Sequence, residues 1–422
     1  MDRFKKLHYA WKVVIACIFI KIGTGGATAC CMSSFVTPIV TELGCKVSEL
    51  TLYTSINAIT MALLYTTAAR VIGRRKIGLI MGVASCGEVL GILLMAFYRE
   101  VHLFYISGAL IGASQAFNGF VALPIIINMW FKKKSGMVLG TVTAIGSGAS
   151  VLYGLLSGQL ITSFGWRTSY LILAAMAFIL TVPVVFRYIR KPDEVGVAPY
   201  GAEEPQETGE AGNASDDDGH SLTKKQAFRM PMTWIAWISC ILFSYGCGVA
   251  YYVATFSTME LGQSTNFGAR AYMMLSLGAI LSSLVTGKIN DRYGVRAGLV
   301  WGMVTTVAGY AAMFLSFSKP AFVYPAIFIV GLGSCMYMVQ CPLMARSIVG
   351  TKHYPEIWSL MMMANSLIGG GLYSTIGLFY DNTGTYRGAF VMAMILYVAA
   401  SLLGILAVRM SDNMKKQINE TV

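Results

Sequence analysis

The sequence predicts an all-α membrane protein of twelve transmembrane helices arranged as two pseudo-symmetric six-helix halves. Three observations carry this. The 422 residues are 56% hydrophobic and 12% charged, about half the charge of an ordinary soluble domain. Twelve apolar runs are long enough to cross a bilayer core of ~30 Å as helix. Landmarks in the first six runs recur in the last six at a nearly constant offset.

The runs fall near 12–40, 48–69, 77–98, 102–129, 137–161 and 168–188, then near 234–259, 270–289, 297–317, 322–345, 357–379 and 387–408. The basic N-terminus leads into a run too long for a signal segment, so a retained first helix is expected. Of the 32 Lys and Arg, 24 fall in one alternating set of connections and 6 in the other; Lys12 and Lys21 complete the count. That alternation is the positive-inside pattern, and it predicts cytoplasmic termini in a cytoplasmic (inner) membrane. It also sets nucleic acid aside as a partner, because the +12 charge is spread over seven short connections.

The repeat is legible in named residues. Gly73 and Gly294, Pro124 and Pro342, Gly158 and Gly377, and Gly165 and Gly384 are separated by 218–221 positions. Parallel six-helix halves of this kind define one transporter architecture. The expected organisation is a first half at 1–190, an acidic disordered linker at 191–230, a second half at 231–410 and a cytoplasmic tail at 411–422. The linker contains GAEEPQETGEAGNASDDDGH, too polar to bury a core. SLTKKQAFRMP, after it, predicts a short amphipathic surface helix.

The connection GKINDRYGVR at 287–296 resembles the cytoplasmic loop signature of the major facilitator superfamily. The resemblance implies a conformational latch of Asp291, Arg292 and Arg296, with Arg74 and Arg75 in the first-half copy. In that copy Thr66 and Arg70 replace the signature's Gly and Asp. NMWFKKKSGMVLG (128–140), SFGWR (163–167), RKPDEVGVAPYG (190–201) and GLFYDNTGTYRGAF (377–390) are similar to the oxalate/formate antiporter and monocarboxylate transporter branch. That branch implies a central cavity, small carboxylates as cargo, and a secondary active transporter working by alternating access, coupled to protons or to a counter-transported anion. The alternative is an exporter of amphipathic or drug-like compounds on the same fold.

Carboxylate cargo needs a cation at depth, because a desolvated anion without a partner is costly. The branch places an arginine in the eighth span, where Ser283 stands here, and the eleventh run carries no basic residue. Lys21 and Glu88 are the ionisable Lys, Arg, Asp or Glu well inside spans, and both are proton-coupling candidates. Lys21 reads either as a cavity or proton-linked site, as half of a buried pair with Glu88, or as a snorkelling interface residue. The branch's first-span lysine aligns nearer Cys30. Glu88 reads as a structural hydrogen-bonded acid or a proton carrier. The neutral candidates for substrate contact are Asn57, Gln115, Asn118, Tyr153, Tyr245, Tyr251, Ser282, Ser283, Tyr337, Gln340, Asn365 and Tyr373. Singly, each is more often helix-packing glue than a ligand contact. No metal-ligand spacing, nucleophile-base pairing or phosphate loop is found, so no enzyme and no cofactor is expected. The expected partners are a small-molecule substrate and the lipid bilayer, with the chain a monomer.

Overall fold

The structure is a computed structural model that describes residues 8–31, 35–45, 47–74, 76–201, 222–250, 252–383 and 385–421. Helix dominates. In the first part of the chain run α1 (Tyr9–Ile20), a π turn (Lys21–Gly25), α2 (Gly26–Cys31), α3 (Val36–Leu43), α4 (Val47–Arg74), α5 (Ile77–Met95), α6 (Val101–Asn118), α7 (Ala122–Trp130) and α8 (Ser135–Tyr188). Short α9 (Pro192–Val195) and α10 (Lys224–Arg229) follow. Then come α11 (Pro231–Ala250), α12 (Val253–Met259), α13 (Thr265–Tyr293), α14 (Val295–Met313), α15 (Val323–Leu332), α16 (Gln340–Val349), α17 (Tyr354–Thr383) and α18 (Arg387–Thr421). Among the described residues, eleven helices are long and apolar enough to cross a membrane. The remaining expected span, 357–379, coincides with α17, whose C-terminal side chains lie outside the described residues.

Breaks fall where the sequence dictates. α6 ends at Asn118, Gly119 leaves helical geometry (φ −97°, ψ −135°), and Pro124 sits near the start of α7. There its missing N–H is harmless. Pro342 occupies the same place near the start of α16. The connection inside α8 turns at Gly165, whose φ of +76° suits a residue without Cβ.

The chain forms two compact units. Unit 1 comprises residues 1–132, 145–205 and 362–367; unit 2 comprises 133–144, 206–361 and 368–422. In unit 1, α4 and α6 approach so closely that a Cβ on Gly108 or Gly112 would meet the backbone of Tyr53 or Asn57. In unit 2, α13 and α15 cross the same way at Gly278 and Gly331. Small residues at such crossings are how membrane helices gain van der Waals contact without a hydrophobic driving force. Outward positions stay apolar: Ile59, Leu63, Val83 and Ile106 in unit 1, and Val304, Ile395 and Leu402 in unit 2, are more than half exposed. This is a lipid-facing surface, and the chain is a multi-pass membrane protein.

The linker expectation is corrected at its start. Residues 192–201 fold back on unit 1: the Lys132 N–H donates to the Tyr200 carbonyl at 3.1 Å and the Tyr200 N–H to the Trp130 carbonyl at 2.8 Å. The Trp11 and Phe131 rings pack on Tyr200, which gives that segment aromatic anchorage its composition did not advertise. The short helix expected after the linker forms as α10, opened by a capping box of Thr223 and Gln226. The acidic stretch 202–221 lies outside the described residues.

Candidate functional site

The site is built from α1, the π turn and α2, against α4, α5, α6 and the part of α8 from residue 145 on, which belongs to unit 1. An isolated π turn is a costly interruption and is often found at functional sites. Here it begins at Lys21. Its irregular backbone is satisfied from outside: the Thr24 N–H donates to Thr181 Oγ1 at 3.2 Å, and the Thr181 hydroxyl donates to the Phe19 carbonyl at 3.2 Å. Gly23 permits this approach, since a Cβ there would strike Thr181.

The Lys21 stem lies against Gly146, where an added Cβ would meet Lys21 Cβ and Cδ at 3.2 Å. Lys21 Nζ sits 5.4 Å from the centre of the Phe120 ring, a cation–π contact. Glu88 is within electrostatic reach of Lys21. The two do not close an ion pair: the described ion pairs are Arg167–Glu42 and Arg296–Asp412.

Glu88 is 2% exposed and ringed by neutral groups. Its Oε1 accepts from Gln115 Nε2 at 3.2 Å and lies 3.0 Å from the Thr28 hydroxyl, whose one hydrogen is shared with the Thr24 carbonyl at 2.7 Å. Asn57 Nδ2 donates to Gln115 Oε1 at 3.3 Å, which fixes the Gln115 amide with its nitrogen toward Glu88. Thr24 and Asn118 also border the carboxyl. The Asn118 amide is oriented by its neighbour. The Ser85 hydroxyl hydrogen goes to the Met81 carbonyl at 2.8 Å, so Ser85 Oγ accepts from Asn118 Nδ2 at 3.1 Å. A hydroxyl has one hydrogen to give. Among the described residues, Asn118 Oδ1 and Glu88 Oε2 are then both buried without a hydrogen-bond partner. Two buried acceptors left open in one cluster are an unusual arrangement in a region of low dielectric.

Lys21, Asn57, Glu88, Gln115 and Asn118 are therefore brought into one cluster, with Tyr153 buried beside it against Gly26. The sequence reading missed Thr24, Thr28, Ser85, Phe120 and Gly146. A signal existed for two of them: Thr24 and Thr28 follow Lys21 at i+3 and i+7, one helical face.

Ser282, Ser283, Tyr245, Tyr337 and Gln340 lie in unit 2. Ser283 is buried, donates to the Ala279 carbonyl at 2.9 Å and meets Cys335 Sγ at 2.7 Å. Ser282 is buried beside it. Gln340 spends both ends of its amide on structure, accepting from Asn290 Nδ2 at 2.6 Å and donating to the Val295 carbonyl at 2.7 Å. Tyr245 and Tyr337 are half-buried. Asn365, in unit 1, is buried. Tyr251 and the side chains of Tyr373, Arg74 and Arg75 lie outside the described residues.

Asp291 closes the start of α8. Its Oδ1 accepts from the Gly136 N–H at 3.0 Å and its Oδ2 from the Met137 N–H at 2.6 Å. Arg346 donates to Ser135 Oγ at 2.9 Å on the same turn. Arg296 pairs with Asp412, and Arg292 lies over the ring of its neighbour Tyr293.

Comparison with known proteins agrees with this architecture. The Major Facilitator Superfamily profile matches residues 17–367 and 262–421. Monocarboxylate transporter 12 of Xenopus laevis is 22% identical over 428 residues, covering 98% of this chain and 92% of that one. The MFS transporter asaE of Aspergillus flavus is 22% identical over 73% of this chain, and the match spans 66% of that relative's length. Among solved structures, a bacterial homologue of the iron transporter ferroportin in its outward-facing state superposes with a TM-score of 0.70 at 12% identity, covering 95% of this chain and 99% of that one. The human organic anion transporter MFSD10 superposes with a TM-score of 0.68 at 11% identity, covering 94% and 99%. With the helices, the repeat and the profile in agreement over most of its length, the chain belongs to the major facilitator superfamily of membrane transporters.

Proposed function

We propose that the protein is a secondary active transporter of a small organic acid of the monocarboxylate type, coupled to protons or to a counter-transported anion. It works in the cytoplasmic membrane by alternating access, with both termini cytoplasmic. The observation that carries this reading is Lys21 on a π turn, in no ion pair among the described residues, within reach of a buried carboxyl that neutral groups surround. The names of two similar proteins, a monocarboxylate transporter and an organic anion transporter, support it.

In this reading Lys21 supplies the positive charge that the cargo carboxylate requires inside the membrane. Glu88 carries the proton. Protonation at Oε2 gives that oxygen a hydrogen to donate, and Asn118, which borders the carboxyl, has an open acceptor in its Oδ1. Oε1 keeps the Gln115 amide as its donor in either state. Loss of the proton leaves a carboxylate within reach of Lys21 and competes with the cargo for that cation. Proton and anion are thereby linked. Export of amphipathic or drug-like compounds is the second reading, favoured by Ser283 at the position where the branch has an arginine.

Uptake of radiolabelled monocarboxylates into proteoliposomes, with and without an inward pH gradient, tests the proposal. Saturable uptake stimulated by the gradient is expected. Transport of hydrophobic cations with no uptake of acids favours the export reading.

A further inference from the structure

A second cluster of cations lies apart from the transport cluster, where α1 begins and α8 ends. Tyr9, Lys12, Arg187, Tyr188, Arg190 and Val195 line a cavity of about 170 Å³. That is too small for a whole drug-sized solute, whose pockets begin near ~300 Å³. It is large enough for one phosphate-sized group.

Three features give it a chemical preference. Three cations converge on it, and no acid lines it. None of the three forms an ion pair among the described residues. The polar lining is completed by two tyrosines, and Lys12 Nζ stands 5.7 Å from the Tyr9 ring centre. Glu194 borders Tyr9 and is exposed at the rim. One acid against three cations leaves the site attractive to anions.

The cavity is built into the fold. Tyr9 stacks on Trp130 with ring centres 5.3 Å apart, and the Trp130 indole N–H donates to the Arg190 carbonyl at 2.8 Å. Trp130 thus ties the start of α1 to the chain just beyond α8. Arg187 and Arg190 are exposed, and Tyr9, Lys12 and Tyr188 are half-buried, so the cavity opens to the surface. Its depth follows from the chain: the apolar spans begin at Tyr9 and end at Tyr188, which sets it at the boundary between hydrocarbon and water. Cations at that level, flanked by tyrosines, match the phosphate of a lipid headgroup.

We infer that this cavity binds an anionic phosphate group, with an anionic phospholipid headgroup or a free phosphate as its source. Arg187 and Arg190 recognise the phosphate oxygens with planar guanidinium donors, and Lys12 adds a point charge. Helix α1 carries the π turn on the same continuous run, so a headgroup held here steadies the first helix at its membrane boundary. The inference does not depend on the cargo: binding is read without transport, so failure of either reading leaves the other standing.

The test uses the full chain purified in mild detergent and native mass spectrometry. Phosphatidylglycerol should be retained over phosphatidylcholine. Arg187→Gln should weaken retention about fivefold, corresponding to about 1 kcal/mol per basic residue near an anionic headgroup. The triple change Lys12→Gln, Arg187→Gln, Arg190→Gln should abolish the preference. Inorganic phosphate separates the sources: no competition at millimolar phosphate assigns a lipid headgroup, whereas competition with the same charge dependence assigns a free phosphate. A photoactivatable phosphatidylglycerol provides a readout on the unaltered chain, with cross-links expected in peptides 9–12 and 187–195. Equal retention of both lipids with no response to phosphate overturns the inference. So does a preference that survives the triple change, or cross-linking confined to other helices.

Discussion

Gln115 donates its side-chain amide hydrogen to Glu88 Oε1 at 3.2 Å, while its own carbonyl accepts from Asn57 at 3.3 Å. The chain of amides from α4 through α6 to α5 therefore has a direction, and it points its donor end at a carboxyl. Such a relay suits a group that changes charge in place, because its donors serve the acid and the carboxylate alike.

Glu88→Gln should retain the fold, since an amide can replace the protonated acid at both oxygens. Acid uptake should lose its response to an imposed pH gradient, while exchange of internal for external acid persists. Undiminished gradient-driven uptake in this variant refutes Glu88 as the proton carrier. Glu88→Ala should in addition destabilise the protein by about 1–3 kcal/mol, because buried donors lose their acceptor.

Lys21→Met keeps the apolar stem against Gly146 and removes the charge. Uptake of an anionic acid should fall about tenfold to a hundredfold, the range expected for a lost hydrogen bond to a charged group. Thermal stability should hold or rise, because a cation within a membrane helix is expensive. Normal anion kinetics in Lys21→Met exclude a cargo role for this lysine.

Asp291→Ala should strip the two backbone donors at the start of α8 of their acceptor and cost about 1 kcal/mol, as loss of a helix cap does. Asp291→Asn should recover part of that, since an amide oxygen still accepts. If Asp291 belongs to a conformational latch, both changes should also alter the turnover rate, and Asn should not restore it. Melting curves beside initial rates separate the two effects.

Gly140→Ala should be destabilising by about 1–3 kcal/mol, the range of overpacking. The added Cβ would strike the Ser283 carbonyl, a backbone atom with no freedom to retreat. Gly158→Ala, with open space around its Cβ position, should be nearly silent. Comparable thermal shifts for the two would mean that the α8–α13 crossing is looser than described.

The contact of Glu42 gives a pH dependence at a group outside the spans. Its hydrogen bonds from Arg167, first, and from Trp166 hold the Glu42 carboxyl below the ordinary glutamate range. A depressed folded value means the contact contributes in full above the unfolded pKa of about 4.3 and is lost as pH falls through the folded value. Melting temperature should drop between neutral and acidic pH by more in the parent than in Glu42→Gln. Equal slopes would show the pair to be silent, as many exposed pairs are.

The sequence by itself determined the solvent, the helices and the family. Apolar runs and the alternation of lysine and arginine depend on how each segment partitions between water and lipid, a local property that needs no partner. The repeat at Pro124 and Pro342 was legible for the same reason: a proline near the start of a helix is a covalent restriction that each segment carries with it. Lys21 and Glu88 also stood out, because a charge in an apolar run is conspicuous without a structure. What the tertiary structure decided was the company these residues keep. Thr28 beside Lys21 on the first helix, and Gln115, Asn57 and Gly146 from three other stretches of chain, meet Lys21 or Glu88 directly or through one another. Nothing in the polar residues themselves separates Gln115, which serves the acid, from Gln340, which ties α16 to residues near the α13–α14 turn. Hydrogen bonds are short and directional, so their partners depend on helix rotation and crossing. Those are set by where glycines such as Gly112 and Gly140 let backbones touch.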